Sequence, residues 1–144
     1  MRKFSPKGKE KLLQYVQGMY NNPFTQLEGC LMDCLFCKIA QSTIPAAVVF
    51  EDQEIIAFRD LQPQAPTHVL VIPKQHIATI NDTTDDHQAL LGKMILRAKS
   101  IAQTEGFSDT GYRLVFNINP AGGQTVFHVH LHLLGGRQMT WPPG

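Results

Sequence analysis

Three histidines, His128, His130 and His132, alternate with Val129, Leu131 and Leu133. A period of two belongs to a β-strand, where alternate side chains share a face and same-face neighbours stand about 6.5 to 7 Å apart. The run predicts a strand over 126–134 with an aliphatic face turned to a core and all three imidazoles on the other. A lone histidine there would read as a solvated side chain or a metal ligand. Three in register, directly after the turn Gly122-Gly123-Gln124-Thr125, point to a reaction centre.

Close imidazoles suit phosphoryl or nucleotidyl transfer. A neutral ring nitrogen is a competent nucleophile near pH 7 when the other nitrogen is held as a donor, because the ordinary histidine pKa is about 6.5. Neighbouring rings can supply protons to phosphate oxygens or a leaving group. Gly122 and Gly123 allow close backbone approach, and Gln124 and Thr125 add side-chain donors, so the turn suits an anion. The sequence lacks GxxxxGK[ST] and GxGxxG, which disfavours a P-loop ATPase and a dinucleotide fold.

The rest of the chain bounds the setting. Its 144 residues accommodate one ordinary domain. Thirteen Lys plus Arg against twelve Asp plus Glu give a net charge of +1, which disfavours the broad basic face that nonspecific nucleic-acid duplex binding needs. With 43% hydrophobic and 17% charged residues, wholesale disorder is not expected. No apolar run approaches the roughly eighteen residues of a membrane helix, and no signal-peptide pattern opens the chain, so a cytoplasmic protein with no membrane partner is the expectation. The cysteines, Cys30, Cys34 and Cys37, are odd in number and clustered, a poor disulfide framework.

Residues 1–31 read as an N-terminal extension, basic at its start, with a short helix from near Pro6 carrying Leu12, Leu13, Val16 and Tyr20. Residues 32–144 read as the folded domain. Within it, a hairpin is expected over Val48 to Phe58, a buried strand over 68–73, and a proline-interrupted loop between them. Thr83 with Asp86 resembles a capping box, followed by helical spacing through Leu90, Leu91, Met94, Ala98, Ile101 and Ala102 to about Glu105, with Gly106 as a left-handed cap. Strands follow at 112–118 and 126–134, and the Gly- and Pro-rich end is irregular. The class is α+β: an antiparallel sheet with a covering helix.

The HVHLHLL run resembles the His-x-His-x-His signature of the histidine triad (HIT) family of nucleotide hydrolases and transferases. FRDLQPQAPTHVLVIPKQHI, NPAGGQTVFHVHLHLLGGRQM and the terminal WPPG are similar to the Hint branch, the purine nucleoside phosphoramidases. The resemblance implies hydrolysis of purine nucleoside 5′-phosphoramidates, of the adenosine 5′-monophosphoramidase type, through a covalent nucleotidyl-histidine. It implies His130 as nucleophile, His132 as the partner near phosphate and leaving group, and His128 as the residue whose backbone carbonyl orients the nucleophile. Asn117, Gly123, Gln124 and Thr125 match phosphate and ribose contacts, with Thr125 where animal members have serine. Asp60 matches the acceptor of the ribose hydroxyls, and Phe36, Ile39, Ile44, Phe58 and Leu61 match the apolar walls around the purine. His68 matches a buried histidine behind the triad. Arg59 stands where animal members commonly have histidine.

Cys34 and Cys37 form a Cys-x-x-Cys, which alone is compatible with redox chemistry, buried thiols or half of a zinc site. Similarity to bacterial members implies a structural zinc on Cys34, Cys37, His76 and His128, with no metal required by the chemistry; similarity to animal members, which lack these cysteines, does not. Cys30 lies outside that pattern. The resemblance also implies a homodimer forming one continuous sheet, with purine nucleoside monophosphate and its phosphoramidates as ligands. Three other readings remain at this level: a dinucleoside polyphosphate hydrolase, a nucleotide-binding regulator or adaptor, and a zinc-stabilised structural protein. Intact His130 disfavours the second, and the glycine-rich turn has no explanation under the third.

Overall fold

The structure is a computed structural model that describes residues 33–144. The helix expected from Pro6, the extension over 1–31 and Cys30 lie outside the described residues. Helix α1 (Leu35–Ala40) comes first, followed by strands β1 (Val48–Glu51), β2 (Ile55–Arg59) and β3 (Thr67–Pro73). Helix α2 (Gln88–Thr104) then leads to β4 (Tyr112–Val115) and β5 (Leu131–Gly135). The five strands form one antiparallel sheet in the order β1-β2-β3-β5-β4, which bears out the α+β class.

The two faces follow from the period of two. Ile55, Ala57, Val69, Val71, Leu131 and Leu133 point to one face, where the buried Met94, Ala98, Ile101 and Ala102 of α2 cover them. Each large aliphatic side chain fully buried there contributes about 1.5 to 3 kcal/mol of transfer free energy. Ile56, Phe58, Leu70 and Ile72 point to the other face, under α1. His132 sits opposite Leu70 in the β3–β5 register, so its ring belongs to the α1 face. The aliphatic half of the alternating run thus builds the core and the imidazole half faces α1, as the pattern predicts.

Several boundaries differ from the sequence expectation, each for a local reason. The final strand begins at Leu131 rather than 126, because Pro73 of β3 has no N–H and its carbonyl accepts the His128 ring nitrogen Nε2 at 2.7 Å. Val129 instead donates its backbone N–H to the Ile77 carbonyl at 2.7 Å. Strand β4 ends at Val115, paired with His132 near the start of β5. Helix α2 begins at Gln88, after two 3-10 turns at Ile80–Asp82 and Asp85–His87. Asp82 accepts the Thr79 N–H and His87 accepts the Thr84 N–H, while the Thr83 hydroxyl closes the first turn on the Ile80 carbonyl; Thr83 and Asp86 therefore form no capping box. At the other end the expectation holds, with Gly106 at φ +84°. Among the described residues no helix is long and apolar enough to cross a membrane.

Candidate active site and metal centre

The segment from Val126 to Leu131 carries two sites side by side. His128 is fully buried, and its Nε2–H donates to the Pro73 carbonyl. Its Nδ1 is therefore a lone pair, 3.5 Å from the sulfurs of both Cys34 and Cys37 and 3.3 Å from Nδ1 of His76. Cys37 Sγ stands 3.2 Å from the same His76 nitrogen. Cys34 is the N-cap of α1, and its sulfur accepts the Cys37 N–H at 3.5 Å, which turns both thiols to one side.

These four residues fit a metal. With Zn–S near 2.3 Å and Zn–N near 2.05 Å, a tetrahedron has S···N edges of about 3.6 Å and an N···N edge of about 3.3 Å. The observed spacings fall close to those values. A ligating imidazole that gives its other N–H to a backbone carbonyl, as His128 does, is the usual supporting arrangement. The four donor atoms lie within 4.8 Å of one another, three of the four residues buried, so the set predicted from sequence is brought together and can coordinate a metal ion.

Two residues along, the backbone carbonyl of His128 accepts the Nδ1–H of His130 at 2.7 Å. That bond leaves Nε2 of His130 as the nitrogen with a free lone pair, as a nucleophile requires. His132 lies beside it, ring centroids 4.9 Å apart. Its tautomer is fixed from behind. The Gln64 backbone N–H donates to Nδ1 of His68 at 3.1 Å, so a neutral His68 carries its proton on Nε2. That Nε2–H meets Nδ1 of His132 at 2.8 Å and lies 3.5 Å from Asp60 Oδ2. His132 is then protonated on Nε2, a buried donor with no partner among the described residues. The site thus pairs an imidazole lone pair with an unsatisfied imidazole N–H.

Burial disfavours the charged form of all these rings. It lowers His130 against the opposing pull of the His128 carbonyl and Asp60. It takes His132 down to about 3, helped by the fields of His130 and His68. His68 is also lowered, by burial first, although Asp60 opposes it. His128 falls to about 4 by burial, against the Pro73 carbonyl. Neutral imidazoles at pH 7 are what the hydrogen-bond geometry requires. A second trio of metal-ligand types, Asp60, His68 and His132, lies nearby. It does not fit an ion, because both nitrogens of His68 are already committed.

A cavity of about 540 Å³ opens over His130 and His132. Of the residues predicted for it, Phe36, Ile39, Phe58, Asp60, Leu61, Gly123 and Thr125 line it. Phe36 stacks edge-on to Phe58 (5.6 Å) and to His130 (5.1 Å), joining the apolar wall to the reactive ring. Ile44 packs behind that wall, outside the lining. Asn117 is also outside it, behind the turn, with its side chain 4.0 Å from where a Cβ on Gly123 would stand. Gln124 corrects the expectation of a phosphate donor. Its amide is buried, giving Nε2–H bonds to the Ala78 and Val126 carbonyls and taking the Asn119 N–H on Oε1. It braces the loop, and Thr125 is the polar side chain of the turn that reaches the cavity.

Arg59 follows Phe58 on β2, and Glu105 holds its guanidinium at 2.7 Å; the residue also lines the cavity, at the position where animal members commonly have histidine. Sequence reasoning missed Leu35, Ala46, Ala47, Gln62, Gln64, Leu70 and Val126 as lining residues. The two alanines carry a faint signal, since small residues before β1 leave room for a planar ligand. Gln64 carries none, because its part is played by a backbone N–H.

The sequence profile of the HIT domain matches residues 41–139, more than half of the chain. The chain belongs to the HIT family. An uncharacterized HIT-like protein of Synechococcus elongatus is 57% identical to this HIT chain over 112 residues, covering 78% of this chain and 97% of the relative. The crystal structure of a HIT family hydrolase from Legionella pneumophila is 70% identical and superposes with a TM-score of 0.76, over 77% of this chain and 99% of that one. A Zn-bound histidine triad family protein from Mycobacterium smegmatis is 33% identical, with a TM-score of 0.66 over 75% and 78% of the two chains. The HIT profile begins beyond Cys34 and Cys37, so the candidate metal centre joins two residues inside the matched region to two outside it.

Proposed function

We propose that this HIT protein is a hydrolase of the Hint branch that cleaves purine nucleoside 5′-phosphoramidates through a nucleotidyl-histidine at His130. The observation that carries the reading is the free Nε2 lone pair of His130 beside the Nε2–H of His132, which has no partner among the described residues, in two rings that line one cavity. Nε2 of His130 attacks the α-phosphorus, the P–N bond breaks, and the departing amine takes the proton from Nε2 of His132. In the second step the same His132 nitrogen, now a lone pair, takes a proton from water as the water's oxygen displaces His130. Thr125 and backbone donors of the turn hold the growing charge on phosphate oxygen. Asp60 takes the ribose hydroxyls, and Phe36, Ile39, Phe58 and Leu61 enclose the base.

Zinc is the metal we assign to Cys34, Cys37, His76 and His128, and the relative named as Zn-bound supports it. Bound there, zinc supplies no reaction chemistry; it ties the start of α1 and the loop after β3 to the catalytic segment. A homodimer with a shared sheet, and residues 1–31 as a dispensable extension, complete the proposal.

The deciding experiment compares hydrolysis of an adenosine phosphoramidate with that of a dinucleoside polyphosphate. The phosphoramidate should be the better substrate, and His130→Ala should lower kcat by at least about a thousandfold. Thr125→Val removes one donor among several and should cost far less. A His130→Ala protein keeping more than about a tenth of the activity overturns the assignment.

A further inference from the structure

The hydrogen bonds that fix the histidine tautomers do not end at His68. The Gln64 N–H that meets Nδ1 of His68 belongs to a residue held from its other side. Arg137, just past β5, donates Nε–H and Nη2–H to the Gln64 carbonyl at 3.1 and 3.0 Å. The same guanidinium donates through Nη1 to the Gln138 carbonyl at 3.1 Å, which fixes its own direction. Gly136 brings this segment hard against the loop, since a Cβ there would lie 3.0 Å from Pro66. Gln64 itself is exposed, between Pro63 and the buried Ala65. The two-pronged donor fixes its carbonyl, on the peptide to Ala65, and through the shared Cα restrains the preceding peptide, which carries its N–H.

The geometry points to Arg137 as a positioning residue that, by clamping the Gln64 carbonyl, keeps the Gln64 N–H on His68 and so keeps the proton of His132 on Nε2, the nitrogen away from His68. The direction of each bond follows from the one before. A backbone N–H can only donate, so Nδ1 of His68 accepts. His68 then donates from Nε2, Nδ1 of His132 accepts, and Nε2 of His132 bears the proton. Without the clamp the backbone at Gln64 can turn about φ and ψ, the Pro63–Gln64 peptide that carries the N–H can swing with it, and Nδ1 of His68 loses its donor. His68 can then carry its proton on Nδ1, against the pull of Asp60 Oδ2 on its Nε2–H, and leave Nε2 as an acceptor, which draws the His132 proton to Nδ1. The tautomer assignment stands on the geometry alone. Its consequence for turnover rests on the proposed role of His132 as proton donor.

Long-range proton–nitrogen NMR on the full-length, metal-replete protein reads the two tautomers directly. Wild type should show His68 and His132 protonated on Nε2. Arg137→Ala should shift the ring nitrogens of both toward a mixture of tautomers, and Arg137→Lys, with one flexible donor, should restore part of the wild-type pattern. In the phosphoramidate assay Arg137→Ala should lower kcat by about tenfold with little change in KM, since it weakens proton transfer and not binding. Arg113→Ala is the control: Arg113 tethers the same terminal segment through the Thr140 carbonyl but does not touch Gln64, so it should leave both tautomers in place. If folded Arg137→Ala keeps the wild-type ring shifts, or Arg113→Ala moves them equally, the clamp is overturned. If the tautomers shift and no phosphoramidate is cleaved even by wild type, the clamp stands and the proposed reaction falls.

Discussion

His130, His132 and His68 are neutral because they are buried, and that state has a measurable cost in acid. Each folded pKa lies below the ordinary value near 6.5, so the unfolded chain binds protons that the folded chain refuses. Their contribution is intact at neutral pH, begins to fall as pH drops below about 6.5, and for His132 is not exhausted until about 3. Each histidine steepens the loss by up to about 1.4 kcal/mol per pH unit. Denaturation midpoints taken between pH 7.5 and 5 should therefore decline steadily. The acid limb of kcat/KM should lie below pH 6.5, whereas a solvent-exposed histidine nucleophile would show it near 6.5. At this scale the reactive rings were legible, because they alternate with the period of the strand, whereas the apolar walls were assigned through the resemblance to the HIT family. Gln124 was not, since an amide bracing its own loop and an amide reaching for phosphate look alike in sequence. Nor was Gln64, which acts through an N–H that every residue but proline carries.

Among the elements, α1 depends most on something beyond its own sequence. Six residues make barely more than one turn, too short to be stable alone, and the cap is a cysteine rather than the usual Ser, Asp or Asn. Metal binding on Cys34 and Cys37 would fix both ends of that first turn. Chelation, or Cys34→Ala, should lower Tm, while activity per folded molecule stays within about tenfold. Metal analysis of protein purified without chelator should find close to one zinc per chain. Fully stable protein with freely titrating thiols and no metal contradicts this. The same brevity hid α1 from sequence reasoning, whereas the seventeen residues of α2 gave several turns of apolar spacing and were readable. Strand ends were misjudged where a side chain took a ladder position, as the His128 ring does on the Pro73 carbonyl.

For the whole molecule, the sheet order leaves β1 and β4 as its two edges. Among the described residues both edges are unpaired, and β4 ends at Val115, short of the expected 118. An unpaired edge favours pairing with a second copy. Light scattering at micromolar concentration should give about twice the chain mass of 16.1 kDa. A mass of one chain argues against the shared sheet. Truncation to Met32 should leave kcat/KM within about tenfold of the full chain, because every residue assigned to the cavity and the metal centre lies beyond it. Loss of folding on truncation would make residues 1–31 part of the domain. The class and the face-by-face burial were legible from period-two alternation plus one long amphipathic helix. The sheet order was not, since it is set by long-range pairing that local patterns do not encode.

His128 serves its two neighbours with different parts of itself: the ring belongs to the cysteine cluster, and the main-chain oxygen belongs to His130. Only histidine offers that ring at that place, but every amino acid offers that oxygen. A lineage can therefore discard the ion by changing a single codon and still hand the nucleophile's tether to whichever residue follows. The two properties are adjacent in space yet separately heritable, and gain or loss of metal among relatives need not track gain or loss of chemistry.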